Sequence, residues 1–232
     1  MADGFRLTSL GRDVLNRYRG AGLSARTFLN LRWRWTPYEA IARRLPAKGV
    51  ILDLGSGHGL LSLAMALSEP ARIIRGFDHD EKRVDMARKA AAGLANVEFS
   101  SGGIRDIVAD PGLRGQVAGI VVIDALHYLT FAEQEAFLAD ARNALRPGGA
   151  LLIRDVDAAA GNNFLVNRLH ERIMTGIGFT RAEQLNFRTR ADWLLMLAKA
   201  GFEAACEPCS RFPFADLLFT STAPAAEIKK VA

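Results

Sequence analysis

Cysteine is scarce in this chain of 232 residues, which contains two thiols, Cys206 and Cys209, in the segment Cys-Glu-Pro-Cys. A structural zinc ion needs about four ligands. The sequence offers no second cysteine pair, so we predict no metal site. Redox-active pairs of the thioredoxin type open a helix, which lowers the pKa of the thiol, whereas this pair ends a predicted strand. We therefore interpret both thiols as structural or incidental.

Long apolar runs are also absent. No apolar segment reaches the roughly 18 to 20 residues that a membrane-spanning helix requires. Residues 1–20 are charged throughout and lack the unbroken apolar core of a signal peptide. We therefore expect a cytoplasmic protein that does not span a membrane.

The charge is basic but dispersed. The formal net charge is +5 and the sequence pI is about 9.6, yet no run of about five or six like charges occurs. The basicity comes mostly from scattered arginines, as expected of a solvated surface. A net positive charge also favours acidic partners, so phosphate esters, acyl-carrier proteins and nucleic acids remain possible ligands.

Strand-like and helix-like segments alternate after a helical N-terminal part. The predicted strands are residues 50–54, 71–78, 96–101, 119–124, 150–156, 202–208 and 216–223. The predicted helices between them are residues 60–68, 80–92, 131–145 and 192–200. Strands separated by helices indicate βαβ units, whose right-handed crossovers place helices on both faces of a sheet. The sequence therefore predicts an α/β, Rossmann-like doubly wound fold with a mostly parallel sheet. The last two strands predict an antiparallel hairpin at one edge.

The first strand ends in a glycine-rich turn, DLGSGHG at residues 53–59, which leads into a helix. Glycine lets a ligand approach the backbone closely, and a helix N-terminus offers free N–H groups. A tight turn without a ligand is the alternative. The third glycine comes one residue too early for the G-x-G-x-x-G turn of dinucleotide-binding folds, which argues against a nicotinamide dehydrogenase. Asp78, at the end of the second strand, is placed to bind both ribose hydroxyls or, alternatively, to cap the next helix.

Five segments, in chain order, resemble the motifs of class I S-adenosylmethionine-dependent methyltransferases. They are VILDLGSGHG (50–59), RGFDHDEKRVDMARKAA (75–91), NVEFSSG (96–102), VVIDALHYL (121–129) and LRPGGALLI (145–153). The resemblance covers about residues 45–155. It implies a seven-stranded sheet with one antiparallel strand, S-adenosyl-L-methionine as the cofactor, and methyl transfer as the activity.

The resemblance also implies roles for individual residues. Gly55 and Gly57 would lie against the methionine part of the cofactor, and Asp53 would reach its ammonium group. Asp78 would hold the ribose, and His79 would flank the adenine. The remaining turn residues of the expected cofactor site are Ser56, His58 and Gly59.

The fourth motif and the third strand supply the rest of the expected cofactor site. Asp124 and Ala125 would face the methionine portion near the transferring methyl group. Family members often carry an acid after the third strand that binds adenine, but Gly103 stands there. Adenine would then be read by the backbone of Gly103 and Ile104, or by Asp106 after a shift. Two residues of the N-terminal part, Arg32 and Tyr38, are candidates to close over the cofactor.

We expect a single methyltransferase domain with four parts. They are a helical N-terminal cap (1–45), a cofactor-binding core (46–155), a substrate-cap insertion (156–190), and a C-terminal helix with a strand hairpin (191–232). The insertion follows the carboxyl end of the fifth strand, the edge at which open α/β sheets bind ligands. Its apolar side chains, such as Phe164, either line a pocket or form plain core.

The candidate catalytic residues follow the fourth and fifth strands. Methyl transfer is an in-line displacement that depends largely on positioning. A phenol or alcohol acceptor must also lose a proton to a base. His127 is the first candidate because histidine titrates near neutral pH, and Asp155 is the second, as base or as substrate contact. Both also have structural interpretations, and His170 of the insertion is interpreted as a packing residue.

Three functions remain open from the sequence. The first is O- or C-methylation of a small apolar, aromatic or acyl acceptor, free or carrier-bound. The second is nucleic-acid methylation, against which the fourth motif argues, since residues 124–127 read Asp-Ala-Leu-His instead of Asn/Asp-Pro-Pro-Tyr/Phe. The third is a non-catalytic protein that binds S-adenosylmethionine.

Overall fold

A computed structural model of the chain describes residues 7–161, 185–209 and 216–224. Most of the expected insertion, residues 162–184 with Phe164 and His170, lies outside the described residues. All helices, strands and contacts given below belong to the described ranges.

The strands of these ranges form one seven-stranded sheet in the order β3-β2-β1-β4-β5-β7-β6. They are β1 (Gly49–Leu54), β2 (Arg72–Asp78), β3 (Val97–Ser101), β4 (Val117–Ile123), β5 (Leu145–Val156), β6 (Glu203–Pro208) and β7 (Asp216–Thr222). Strands β1 to β5 pair in parallel, and β7 is antiparallel to both β5 and β6. The predicted doubly wound α/β fold with an antiparallel hairpin at one edge is confirmed.

Eight α-helices flank this sheet within the described ranges. They are α1 (Ser9–Asn16), α2 (Leu23–Trp35), α3 (Tyr38–Ala42), α4 (Leu60–Ser68), α5 (Glu81–Ala90), α6 (Ile104–Val108), α7 (Phe131–Ala144) and α8 (Arg190–Lys199). Side-chain caps fix the starts of four helices. Thr8 caps α1, Asp80 accepts free N–H groups of α5, and capping boxes of Thr130 with Glu133 and of Thr189 with Asp192 begin α7 and α8. None of these helices is long and apolar enough to cross a membrane.

Strand β5 begins earlier than the sequence predicts. Leu145, predicted as the last helical residue, is buried and pairs with Val117 of β4. The pairing then slips before Gly119, so residues 146–149 form an irregular strand start instead of a loop. Gly148 accommodates the irregularity because its φ of +70° is readily adopted by glycine.

Apolar layers cover both faces of the sheet. On one face, buried side chains of α1 to α4, including Leu29, Ile41 and Leu63, form a continuous core with β1 and β2. On the other face, Phe137 of α7 and Trp193 of α8 pack against β4, β5 and β7. The N-terminal helices therefore share the core of the sheet, which fixes them beside the carboxyl ends of its central strands.

A buried arginine ties the end of the N-terminal helices to the sheet. Arg72, at the start of β2, is 2% exposed. Its guanidinium donates to the carbonyl oxygens of Ala42 (2.9 Å), Leu45 (3.0 Å) and Pro46 (2.8 Å). Ala42 ends α3, and its carbonyl also accepts the N–H of Leu45 at 3.3 Å. Leu45 and Pro46 follow the helix, so Arg72 supplies donors to carbonyl groups at and just after a helix end.

Replacing Arg72 with methionine should therefore destabilise the fold. Arg72→Met removes the guanidinium that donates to the carbonyls of Leu45 and Pro46 and adds to the pairing of Ala42. We expect the free energy of unfolding to fall by about 2 to 4 kcal/mol, measured by urea titration. The control is Arg75→Met on the same strand, where a half-exposed arginine pairs with exposed Glu98 and the expected loss is below about 1 kcal/mol. Equal losses in the two variants would contradict the anchoring role.

Candidate functional site

A cavity of about 370 Å³ lies at the carboxyl ends of β1, β2 and β4, beneath α2. Strand β1 has β2 on one side and β4 on the other, so the connections leave it in opposite directions and open a crevice. The volume is that of a small-molecule site. Of the twelve residues expected to bind cofactor, all but Gly59 line this cavity. They are Asp53, Gly55, Ser56, Gly57, His58, Asp78, His79, Gly103, Ile104, Asp124 and Ala125.

Two glycines of the turn are required by packing. Gly55 has a φ of +77°, and a Cβ atom there would lie 2.8 Å from the Cβ of Ala125. Gly59 has a φ of +83° and precedes the first residue of α4. A Cβ at Gly59 would lie 2.7 Å from the ring of Phe99 and 3.0 Å from Ala87. Gly59 therefore lets α4 approach β3 and α5, which accounts for its position away from the cavity.

The middle of the turn presents polar groups to the cavity. A Cβ at Gly57 would meet no atom within 4 Å, so the backbone is open on that side. The hydroxyl oxygen of Ser56 is buried and has no hydrogen-bond partner among the described residues. A buried polar atom without a partner is costly, and a ligand lying on the turn would supply one.

Asp78 fixes the shape of the turn from the neighbouring strand. It is 3% exposed, and its carboxylate accepts hydrogen bonds from the N–H groups of Gly57 (2.8 Å) and Asp80 (2.9 Å). A carboxylate can accept about four hydrogen bonds, so capacity remains for hydroxyl groups of a ligand. The alternative that Asp78 caps α5 is wrong, because Asp80 is the capping residue.

Asp53 is a buried carboxyl at the floor of the cavity. It is 2% exposed and accepts a hydrogen bond from the hydroxyl of Ser62 at 2.5 Å. Burial raises the pKa of Asp53 to about 7 against the lowering effect of the Ser62 hydrogen bond, and the nearby charge of Asp78 adds to the rise. A cationic ligand group beside Asp53 would favour the ionised form.

Asp124 joins the N-terminal helices to the sheet. It follows β4 with a φ of +53°, which is uncommon for a residue with a side chain. Its carboxylate binds the guanidinium of Arg32 in α2 at 3.0 Å and that of Arg154 in β5. Burial opposes ionisation of Asp124, but Arg154 and Arg32 outweigh it, so its pKa lies below the ordinary value.

Arg154 extends this pairing across the sheet. It is 4% exposed, and it also binds Asp216 of β7 at 2.5 Å. Burial raises the pKa of Asp216 to about 6, although Arg154 counteracts part of the rise. Arg32, Asp124, Arg154 and Asp216 thus form one chain of alternating charges, called the charge chain below. Its signal in the sequence is the charged pair Arg154 and Asp155 after the apolar residues 150–153.

The N-terminal helices cover the cavity with aromatic and cationic side chains. Phe28 of α2 packs against His58, with ring centroids 5.5 Å apart, and the hydroxyl of Tyr18 donates to the carbonyl oxygen of His58. Burial, followed by the charge of Arg83, lowers the pKa of His58 to about 4, so this imidazole is neutral at pH 7. Tyr38 and Arg32, the two expected closing residues, both line the cavity.

In the turn after β3, Gly103 stands where the motif often has an acidic residue. Gly103 precedes α6, and both Gly103 and Ile104 line the cavity. A Cβ at Gly103 would lie 2.9 Å from a carboxylate oxygen of Asp106, which is folded back over the turn. Asp106 does not line the cavity, so the geometry favours the backbone alternative. His79 sits at the rim, half-exposed and 3.5 Å from Asp78.

The two expected catalytic residues form a buried pair behind the cavity wall. Nδ1 of His127 lies 2.7 Å from a carboxylate oxygen of Asp155, and both side chains are essentially unexposed. The ring of His127 packs between Tyr128 and Phe187, at centroid distances of 4.3 and 4.6 Å. Tyr128 lines the cavity and His127 does not. An imidazole so paired is fixed in tautomer and orientation.

The cysteine pair has no catalytic features. Cys206 and Cys209 are free thiols, and burial raises the pKa of each. A raised pKa lowers the thiolate fraction, which is the reactive form. In the ranges that the structure describes, no group of three or more metal-ligating side chains could hold a metal ion.

Comparisons with known proteins agree with this architecture. Residues 51–149 match the family model described as "Methyltransferase domain". A demethylmenaquinone methyltransferase of Thermus thermophilus is 28% identical over 169 residues, 72% of this chain and 71% of the relative. A release factor glutamine methyltransferase of Mycobacterium leprae is 33% identical over 132 residues, 52% of this chain and 44% of the relative. The aligned part of the chain thus spans less than half of the glutamine methyltransferase.

Among solved structures, a Haloferax volcanii methyltransferase in complex with the Trm112 methyltransferase activator has the same fold. The TM-score is 0.67 at 18% identity, and the alignment covers 91% of this chain and 97% of the other.

The raised pKa of Asp53 predicts a pH dependence of stability. The ordinary pKa is 3.8 and the folded value is about 7. Between these values the folded state binds more protons than the unfolded state. The free energy of unfolding should therefore fall as pH rises from about 4 to about 7, by up to about 1.4 kcal/mol per pH unit, and level off above.

Asp53→Asn should remove this part of the pH dependence, because the amide stays neutral and still accepts from Ser62. Urea titrations of both proteins between pH 5 and pH 8 measure the difference; Asp216, whose pKa is also raised, is common to both. The control is Asp85→Asn, at an exposed carboxylate of α5. Parallel pH profiles of wild type and Asp53→Asn would contradict a raised pKa.

Proposed function

We propose that the chain is a class I S-adenosylmethionine-dependent methyltransferase, as the match of residues 51–149 to a methyltransferase domain supports, and that it methylates a small apolar acceptor on oxygen or carbon. One observation carries this proposal: a single cavity combines an open glycine turn, two buried carboxyls at neighbouring strand ends, and apolar walls. The first two features suit a charged nucleoside, and the third suits an acceptor of low polarity.

The residues present fit S-adenosylmethionine. The unpartnered Ser56 hydroxyl and the open Gly57 backbone form a cradle, Asp78 retains capacity to accept from the ribose hydroxyls, and Asp53 lies where it could meet the ammonium group. Gly103, Ile104 and His79 border the place of the adenine. When bound, the cofactor supplies an electrophilic methyl group on a sulfonium.

Positioning and exclusion of water are the main contributions of the chain itself. In-line displacement gains most from holding the reacting atoms in line. Phe28 and Tyr38 shield the cavity from solvent, and the ion pair of Arg32 with Asp124 holds α2 above it. Because a sulfonium is cationic, the charge chain also keeps an anionic carboxylate at the end of β4 near the proposed methionine site.

An apolar acceptor suits the lining of the cavity. Leu29, Leu60, Leu61, Ile104, Ile123 and Leu129 contribute to its walls. The alignment with the demethylmenaquinone methyltransferase also covers more of both chains than that with the glutamine methyltransferase. We therefore favour a quinol-like, phenolic or acyl acceptor, free or attached to a carrier. Its reaction would take place in the cytoplasm, as expected from the sequence.

Proton removal is assigned to His127, with Asp155 as its positioning residue. The Nδ1–carboxylate pairing directs the other ring nitrogen of His127 away from Asp155. Tyr128 stands between the imidazole and the cavity, so the proton path from an acceptor passes this side chain. A base of this kind contributes about 10²- to 10⁴-fold to a rate.

A protein acceptor is the second candidate function. It is favoured by the 33% identity to the release factor glutamine methyltransferase, whose name specifies a protein side chain. The apolar walls of the cavity suit a glutamine side chain less well than a hydrophobic molecule, which is why this function ranks second.

Asp78→Ala should weaken cofactor binding. Two hydrogen bonds from hydroxyls to a buried carboxylate would be lost, so we expect the dissociation constant of S-adenosylhomocysteine, measured by calorimetry, to rise about tenfold to a hundredfold. Asp85→Ala is the control. Since Asp78 also holds the Gly57 amide, urea titration must show that the variant is folded under the assay conditions. An unchanged dissociation constant in folded protein would contradict the ribose assignment.

Methyl transfer from labelled S-adenosylmethionine should occur on phenols, quinols or acyl thioesters. With the best acceptor, His127→Asn and Asp155→Asn should each lower kcat about a hundredfold and leave the affinity for S-adenosylhomocysteine within about threefold. His127→Asn should also remove the acidic limb of the pH profile of kcat, which a merely structural role would retain.

The outcomes of the acceptor screen separate the functions. Transfer to a glutamine-containing peptide, or to RNA, in preference to every small acceptor would overturn the proposal. Tight binding of S-adenosylhomocysteine without turnover on any acceptor would instead support the non-catalytic alternative.

A further inference from the structure

Helix α2 has an exposed face with unusual composition. Leu23 is 78% exposed, Leu31 39% and Trp35 42%, and grouped exposed apolar side chains are typical of interaction surfaces. Leu23, Thr27, Leu31 and Trp35 follow at intervals of four residues, which places them along one side of the helix. Arg26 and Asn30, also exposed, form a polar row beside them.

The N-terminal part of the chain accounts for the net positive charge. Residues 7–48 contain nine arginine and lysine residues against two acidic ones, whereas residues 49–232 contain 20 basic and 22 acidic residues. Helix α2 itself has no acidic residue. The other exposed basic side chains of this part are Arg12, Arg19, Arg34, Arg43, Arg44 and Lys48. The basic surface and the apolar side chains therefore coincide on the same helices.

The exposed apolar side of α2 leads to the cavity. Leu31 is three residues from Phe28, so the two side chains are neighbours on the helix surface. Phe28 and Leu29 line the cavity, and Arg32 crosses its rim to Asp124. An apolar path thus runs from the outside of α2 to the wall of the proposed acceptor site.

We infer that α2 docks the protein peripherally on an anionic lipid bilayer. Leu23 and Leu31 enter the boundary between head groups and acyl chains, and Arg26 and Arg19 bind the anionic head groups. This is the chemistry of interfacial amphipathic helices, in which apolar area and basic charge act together. Docking goes beyond the proposed function and does not depend on it, since the surface lies outside the cavity.

A bilayer explains the surface better than a nucleic acid does. Nucleic acids attract basic side chains through their phosphates, but they offer nothing to aliphatic side chains as exposed as Leu23. A lipid interface binds both. The two predict different responses to the loss of the leucines.

The experiment is cosedimentation of the full chain with vesicles of phosphatidylcholine, with and without phosphatidylglycerol. We expect binding to the anionic vesicles to be at least about tenfold tighter and to weaken at high salt. The double variant Leu23→Ser, Leu31→Ser should bind about tenfold or more weakly, because two apolar side chains no longer enter the interface. Leu195→Ser on α8, where the leucine is 56% exposed, is the matched control and should bind as wild type.

A second pair of variants tests the charge. Arg26→Gln should weaken binding about fivefold, and Arg114→Gln, at an exposed arginine by the opposite ends of the strands, should not. Equal binding to neutral and anionic vesicles, or unchanged binding of the double leucine variant, would overturn docking. Mixed-sequence RNA that binds more tightly than the vesicles and tolerates the leucine changes would assign the surface to nucleic acid instead. All sites are exposed, and matching thermal melts verify that the variants fold.

Discussion

The buried guanidinium of Arg154 is the interaction on which the site depends. Two carboxylates, Asp124 and Asp216, enclose it, and a buried charge of this kind is tolerated only when it is paired and hydrogen-bonded. Through Asp124, the same interaction reaches Arg32 in the N-terminal helices. These ion pairs link helix α2 to the end of β4 and to strands β5 and β7 beside the crevice of the sheet.

The two arginines give Asp124 an electrostatic environment that differs from those of Asp53 and Asp78, the other two buried carboxyls of the cavity. Asp124 is ionised because two arginines compensate for its burial. Asp53 has a serine hydroxyl as its hydrogen-bond partner in the cavity floor, and burial raises its pKa to about 7. Asp78 has two backbone donors. Three acidic side chains at neighbouring strand ends thus have three different environments, and the chemistry available to each follows from its partners.

Local patterns predict most of the fold and most of the residues that line the cavity. The glycine turn lies between a strand and a helix that are adjacent in the chain, and Asp78 ends the next strand. Hydrophobic periodicity in a single sequence predicts such elements. The start of β5 differs from the sequence prediction because its register with β4, including the slip before Gly119, depends on strand pairing and not on the Arg-Pro-Gly-Gly composition.

Long-range pairings could not be read in the same way. Arg32 and Asp124 are 92 residues apart, and no spacing rule links them. His127 and Asp155 were each singled out by position at a strand end, but only the packing of the sheet turns them into a pair. Gly59 belonged to the motif for a reason of packing against Phe99, which a motif alone does not distinguish from ligand contact.

The anchoring of α3 by Arg72 has a consequence for the exchange of molecules with the cavity. Because Arg72 fastens the end of α3 to the sheet, motion of the N-terminal helices away from the cavity is resisted at that end. The salt bridge of Arg32 with Asp124 and the hydrogen bond of Tyr18 to the glycine turn also hold α2 and α1 over the cavity. Exchange of molecules through this side depends on release of these contacts, so the turnover frequency is open to control by that motion as well as by the displacement step.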